Sequence, residues 1–171
     1  DAAARTGLTV AGRRYRFGEL AELTRERLRV LEPAVAPGVP FVVIGTNTLA
    51  TVITLYALLE LEIPALVLHP RLTEVERAAQ TCTPVQQRLP DDAAAIMHTS
   101  GTTGAPRAAA LTRGALLASA AASAANLGWE DGDCWLLCMP LARIGGLSIL
   151  TRCLAARRKA RQRPASARIP E

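Results

Sequence analysis

The chain holds 171 residues, half of them apolar, with 20 basic and 15 acidic side chains and a formal net charge of +5. That length supports one domain with a real core, burying about 70% of the surface the unfolded chain exposes, and the composition excludes a disordered protein. No apolar run reaches the roughly 20 uncharged residues of a spanning helix, because 48–61 contains Glu60 and is followed by Glu62.

The charge is unevenly placed. Thirteen of the basic and fourteen of the acidic side chains fall in residues 1–150, while the rest of the chain carries Arg152, Arg157, Arg158, Lys159, Arg161, Arg163 and Arg168 against Glu171 alone. A basic terminus can bind nucleic acid or an anionic surface. This one has no interleaved aromatics and no recognised nucleic-acid fold, so it is read as a solvated tail and nucleic acid is not an expected partner. Four cysteines at irregular spacing, without a signal peptide, predict free thiols and a cytoplasmic location.

Residues 8–17 alternate around Ala11-Gly12, the pattern of a small hairpin. Phe17, Leu20, Ala21, Thr24, Leu28 and Leu31 then recur at helical spacing until Pro33, with Leu23 and Val30 off the stripe. Residues 41–44 read as a short buried strand, and Gly45-Thr46-Asn47 as a turn able to cap the next helix. That helix, 48–61, is apolar on nearly every side, which suits an interior position. Residues 65–68 make another buried strand, and Thr73 and Glu76 have capping-box spacing at the start of a further helix. Residues 81–92 connect to a strand at 93–97. Thr112 caps an alanine-rich helix over 113–126 that Gly128 ends. A strand at 134–139, a loop at 140–146 and a helix at 147–158 follow. Apolar strands alternating with helices predict an α/β fold, a mostly parallel sheet covered on both faces. From Lys159 the periodicity is lost, so 1–156 is read as the folded part and 157–171 as a basic, disordered tail.

The most specific stretch is Thr99-Ser100-Gly101-Thr102-Thr103-Gly104-Ala105-Pro106-Arg107. Residues 99–104 each carry a side-chain hydroxyl or no side chain at all. Glycines let backbone N–H groups converge on an anion, hydroxyls add donors, and Arg107 supplies a fixed charge suited to phosphate oxygens. The loop lacks the lysine of the common NTPase P-loop and the frame of a nucleophile elbow. A plain surface loop is the bland alternative.

The same stretch resembles the signature loop of the adenylate-forming (acyl-CoA synthetase, AMP-binding) superfamily, roughly T-S-G-T-T-G-x-P-[KR]-G, with Ala108 in place of the last glycine. Tyr15-Arg16-Phe17-Gly18-Glu19-Leu20 resembles that family's "TYxEL" segment, and the strand–Asn47–helix unit has a counterpart there. His69-Pro70-Arg71-Leu72-Thr73-Glu74-Val75-Glu76 resembles its "NxRLTxxE" segment. Pro140-Leu141-Ala142-Arg143-Ile144-Gly145-Gly146-Leu147 resembles the "PLxHxxGL" loop that lines the acyl pocket. With Asn126-Leu127-Gly128 and the residues after Leu147, the likeness is nearest to the o-succinylbenzoate–CoA ligase branch, over about residues 8–156.

The resemblance implies a two-step reaction. A small carboxylic acid and ATP give an acyl-adenylate and pyrophosphate, and the acyl group then passes to the CoA thiol. It implies that Thr99, Ser100, Thr102, Thr103 and Arg107 hold the β/γ-phosphates, with Gly101 and Gly104 setting the backbone. Magnesium is a family expectation, but its ligand is not in this chain.

Arg143 departs from the family's usual histidine. A guanidinium cannot shuttle protons near neutral pH, but it offers a fork for a carboxylate. Arg143 is therefore expected to hold an acyl-substrate carboxylate or the developing acyl-phosphate charge, the alternative being a solvated loop arginine. Gly145 and Gly146 would let backbone approach the substrate, or merely permit a tight turn. His98 is read as a packed strand-end residue ahead of a nucleotide contact. Cys134 and Cys138 are read as buried thiols on one strand face, and no metal site is assigned.

The family's "YGxTE" segment, ribose-binding aspartate, hinge and catalytic lysine do not occur in the sequence, whose one lysine is Lys159. The chain is thus expected to be an N-terminal fragment of a ligase, inactive alone and prone to self-association through an exposed sheet edge. The alternatives are a non-catalytic phosphate- or nucleotide-binding module and a basic-tailed scaffold protein.

Overall fold

The computed structural model describes residues 1–82, 89–99, 107–130 and 132–162. The chain opens with β1 (Thr6–Val10) and β2 (Arg13–Arg16), paired antiparallel through a two-residue turn. Ala11 and Gly12 both take positive φ, 49° and 83°, the geometry whose twist suits a tight hairpin. α1 (Phe17–Leu31) follows and buries Leu20, Thr24 and Leu31 of the stripe expected from its spacing, while Ala21 of that stripe and Val30 stand out in solvent. Pro33 ends it in a single 3-10 turn.

β3 (Phe41–Ile44), α2 (Leu49–Glu60) and β4 (Ala65–Leu68) form a parallel crossover unit. α2 is apolar all round because it is packed from several sides, with Val52, Ile53, Leu55, Ala57 and Leu58 buried. Its cap is Thr48, whose hydroxyl accepts from the Thr51 N–H at 3.2 Å. Asn47, expected at that cap, is engaged elsewhere. α3 (Glu74–Cys82) begins with the expected capping box, Glu76 accepting from the Thr73 N–H at 2.8 Å and the Glu76 N–H donating to the Thr73 hydroxyl at 3.3 Å.

β5 (Ala93–Thr99) lies parallel to β4, and β6 (Arg107–Thr112) returns antiparallel beside it. β6 was not expected. Its Ala108, Ala109 and Ala110 have little strand preference of their own, and pairing along β5 supplies what they lack. α4 (Arg113–Leu127) is capped by the Thr112 hydroxyl and closed by Gly128, as read, but only Leu116 and Ala120 are buried. β7 (Cys134–Leu137), α5 (Ile144–Ala155) and β8 (Lys159–Gln162) complete the chain.

Three expectations change here. The strands form two sheets instead of one, β3-β4-β5-β6 and β2-β1-β8-β7, with most pairings parallel. The folded part does not stop at residue 156: β8 pairs parallel with both β1 and β7, and Ala160 is 1% exposed. The remainder of the expected tail, 163–171, lies outside the described residues. Cys134 and Cys138 are exposed, because Leu137 turns inward and Cys138 lies past the strand end; among the described residues Cys153 of α5 is the buried thiol.

One continuous core joins Leu8, Leu137 and Ala160 of the hairpin sheet to Val43, Val67 and Met97 of the other through α2 and α5. Alternation along the strands puts Leu66, Leu68 and Ile96 on the opposite face, where Ile44, Leu72 and Leu89 cover them. Among the described residues no helix is long and apolar enough to cross a membrane.

Candidate functional site

In the parallel run β3-β4-β5 the strand C-termini share one edge, the usual location of ligand crevices in open α/β sheets. β5 delivers His98 and Thr99 to that edge, and β6 starts from it at Arg107. Thr99 and Arg107 are register partners, and the Thr99 hydroxyl donates to the Arg107 carbonyl at 3.3 Å. Both are exposed. This clasp closes the neck of the hydroxyl- and glycine-rich loop. Ser100, Gly101, Thr102, Thr103 and Gly104 lie outside the described residues.

His98 is packed, as expected, but uncapped: both ring nitrogens are out of solvent with no hydrogen-bond partner among the described residues, and burial pushes the imidazole pKa down. Next along the edge, β4 ends in His69-Pro70-Arg71. The His69 Nδ1 accepts from the Arg71 N–H at 3.2 Å. Burial, then the Arg143 and Arg71 charges, hold the His69 pKa below its ordinary value.

Arg143 stands at the N-cap of α5 with extended backbone (φ −112°) and an exposed side chain. Among the described residues neither Arg143 nor Arg71 has a carboxylate partner. The positive end of the α5 dipole adds to their charge, so this corner of the edge favours an anion.

Gly145 and Gly146 sit in the first turn of α5, which begins earlier than residue 147. A Cβ on Gly146 would strike the Pro140 carbonyl oxygen and lie 2.7 Å from that of Met139, and one on Gly145 would lie 2.7 Å from the Met139 sulfur. The space beside these glycines is therefore filled by the chain's own residues 139 and 140. Gly45 behaves alike. An added Cβ there would lie 2.5 Å from the Ala142 nitrogen.

Sequence reasoning passed over Asn47 as a structural hub. Its Nδ2 donates to the carbonyls of Met139 at 2.9 Å and Leu137 at 3.3 Å, and its Oδ1 accepts from the Leu141 N–H at 3.0 Å. No local signal pointed to this role, because its three partners are backbone atoms 90 to 94 positions away. A groove of about 490 Å³ lies elsewhere: Phe17, Leu20, Leu28, Tyr56, Leu59 and Leu154 line it between α1, α2 and α5. Burial drives the Tyr56 phenol well above its ordinary pKa.

Residues 76–160 match the family of AMP-binding enzymes. That stretch is just under half of the chain. The match reaches past Arg158, where the sequence pattern had been read as ending. The chain is similar to the 2-succinylbenzoate–CoA ligase of Bacillus cytotoxicus, 45% identical over 80 residues that make up 46% of this chain and 17% of that protein. The corresponding ligase of Bacillus mycoides is 52% identical over 62 residues, 36% of this chain and 13% of that protein. The whole fold superposes on o-succinylbenzoate CoA synthetase from Bacillus subtilis, solved with its acyl-adenylate intermediate, at a TM-score of 0.83 and 23% identity, over 96% of this chain and 53% of that one. ATP-bound MatB from Rhodopseudomonas palustris superposes at a TM-score of 0.80 and 18% identity, over 96% of this chain and 43% of that one. The chain spans about half the length of the solved structures it resembles.

Proposed function

We propose that this chain supplies the phosphate-binding and acid-facing part of an AMP-forming acid–CoA ligase acting on 2-succinylbenzoate. The observation that carries the reading is the AMP-binding match over residues 76–160, which includes both the β5–β6 loop and the Arg143 segment; 80 residues of the chain are 45% identical to a 2-succinylbenzoate–CoA ligase. In the first step a carboxylate oxygen of the acid attacks the α-phosphorus of ATP and pyrophosphate leaves. In the second the CoA thiol attacks the acyl carbon and AMP leaves. Such a displacement depends on positioning and charge neutralisation more than on covalent catalysis.

Thr99, Ser100, Thr102, Thr103 and Arg107 are assigned to the β/γ-phosphates, with Gly101 and Gly104 shaping the loop. Arg143 is assigned to a substrate carboxylate or to the acyl-phosphate charge. A related synthetase from Bacillus subtilis has been solved with ATP and a magnesium ion. Among the described residues no three His, Cys, Asp or Glu side chains come together, so no magnesium ligand is assigned and no step is derived through the metal. Lys159 is held in β8 opposite Cys134 and is not assigned to catalysis. Adenylation is therefore assigned to this chain together with elements the longer relatives carry.

The test is ATP and 2-succinylbenzoate binding to the purified chain, followed by ATP–pyrophosphate exchange. ATP binding that weakens about tenfold in Arg107→Gln, a loss of about 1.4 kcal/mol, with no acid-dependent exchange, is the expected result. Failure to bind ATP overturns the phosphate-loop assignment, and robust acid-dependent exchange overturns the need for further elements. ATP binding without acid binding favours a nucleotide-binding module instead.

A further inference from the structure

Two segments far apart in sequence meet at the carboxyl edge. The turn after β3 carries Gly45 and Asn47, and the segment after β7 runs through Met139, Pro140, Leu141 and Ala142 to Arg143. The Gly45 N–H donates to the Leu68 carbonyl at 2.9 Å, and the Gly45 carbonyl accepts from the Ala142 N–H at 3.3 Å. One residue beyond Leu68 is His69, and one beyond Ala142 is Arg143. This short relay of backbone bonds brings the two cationic-edge residues together across the seam between the sheets.

Asn47 secures that relay. Both amide hydrogens and the amide oxygen are used, on Leu137, Met139 and Leu141, residues 90 to 94 positions away. The two carbonyls and one N–H also dictate which way the amide points. No other side chain at the edge makes three bonds to the segment that leads to Arg143 among the described residues. The close approaches at Gly45 and Gly146 leave that segment little room to shift.

We propose that Asn47 is a positioning residue for Arg143: its amide locks residues 137–141 onto the end of β3, so that the guanidinium stays on the edge beside His69. The assignment rests on the acid-binding reading of Arg143, and its test separates the two. Asn47 touches no substrate in this scheme. It sets where the residue that does so stands, as a hydrogen-bonded support does for a catalytic group.

The test uses the full chain. His69 and His98 are its two histidines, so their imidazole NMR titrations can be followed separately. Arg143→Gln sets the scale: with the guanidinium gone, His69 should titrate closer to the ordinary value of about 6.5. Asn47→Ala should reproduce most of that rise, leave His98 and ATP affinity where they were, and weaken 2-succinylbenzoate binding by about fivefold or more. General destabilisation would move both histidines, whereas release of Arg143 moves His69 alone. Should Asn47→Ala not fold, Asn47→Gln keeps the amide but sets it one methylene too far and is expected to give the same pattern. The proposal is overturned if His69 rises in Arg143→Gln but not in the Asn47 variants, or if it ignores Arg143→Gln altogether. If His69 rises while acid affinity holds, the positioning role stands and the acid-binding role of Arg143 fails.

Discussion

β3, α2, β4, α3 and β5 follow one another directly in the chain, and the sheet they make is built almost wholly from apolar strands: all four residues of β4 are buried. The other sheet takes β1 and β2 from the first sixteen residues and β7 and β8 from the last described thirty. Two of its strands are polar, with Arg13, Arg14 and Arg16 in β2 and Lys159 and Arg161 in β8. Strands β3 to β5 are specified by local sequence, and β4 and β5 by burial on both faces. The other sheet closes only when chain ends separated by some 150 residues meet, at the loop-closure cost such contacts carry. A strand can be buried in position while half of its side chains are charged, provided one inward residue fits. In β8 that residue is Ala160.

The sharpest way to break this comparison is to remove that one residue's fit. Ala160→Asp puts a carboxylate between β1 and β7 at a site 1% exposed, with no cation assigned to it. The expected loss is about 4 kcal/mol or more, enough to unfold a marginal domain. Arg161→Asp, one position on but exposed, should stay within about 0.5 kcal/mol. Urea unfolding of the two variants reads the contrast. Equal effects would mean that β8 is not anchored through Ala160.

The apolar sheet should yield by a different route. Leu68 is fully buried in the small cluster with Leu66 and Ile96, covered by Ile44, Leu72 and Leu89. Leu68→Ala removes transfer energy and leaves a cavity, for a loss of about 2–5 kcal/mol. Because His69 follows directly and Gly45 bonds to the Leu68 carbonyl, the same variant should loosen the carboxyl edge. Slower ATP-independent hydrogen exchange at the Gly45 N–H in the parent than in Leu68→Ala is the check, and equal rates would detach the edge from this cluster.

These differences account for what could be read from sequence. The hairpin, α1, β3, α2, β4 and the α3 cap carry their own periodicity, turn residues or caps, so local rules suffice. β6 and β8 do not. Ala108 and its neighbours, and Lys159-Ala160-Arg161-Gln162, become strands because β5 in one case and β1 with β7 in the other offer a ladder to complete. The start of α5 was misplaced for a related reason: two glycines argue against a helix by propensity, yet Gly146 is where only a hydrogen fits against the backbone of Met139 and Pro140. At the site, Thr99, Arg107 and Arg143 were legible as chemistry-bearing residues in recognisable motifs. Asn47 was not, because its three bonds go to backbone atoms some ninety residues away.

The smallest effect belongs to α3, which sits over the apolar sheet with most of its surface in water. Thr73 and Glu76 exchange three hydrogen bonds at its start, and the bonds Glu76 accepts, the backbone one first, hold its carboxyl below the usual range. The folded value is thus lower than the unfolded one, about 4.3. A group of this kind adds stability that is fully present above the unfolded value and lost as pH falls through the folded one. Glu76→Gln keeps an acceptor but removes the charge, so it should be less stable than the parent at pH 7 and indistinguishable from it at pH 2. Thr73→Ala removes the cap itself and should cost about 1 kcal/mol at neutral pH. If urea unfolding finds the Glu76→Gln deficit unchanged at pH 2, the contribution is one of shape and not of charge, and α3 is held by its contact with β4 in the same way as the rest of the apolar sheet.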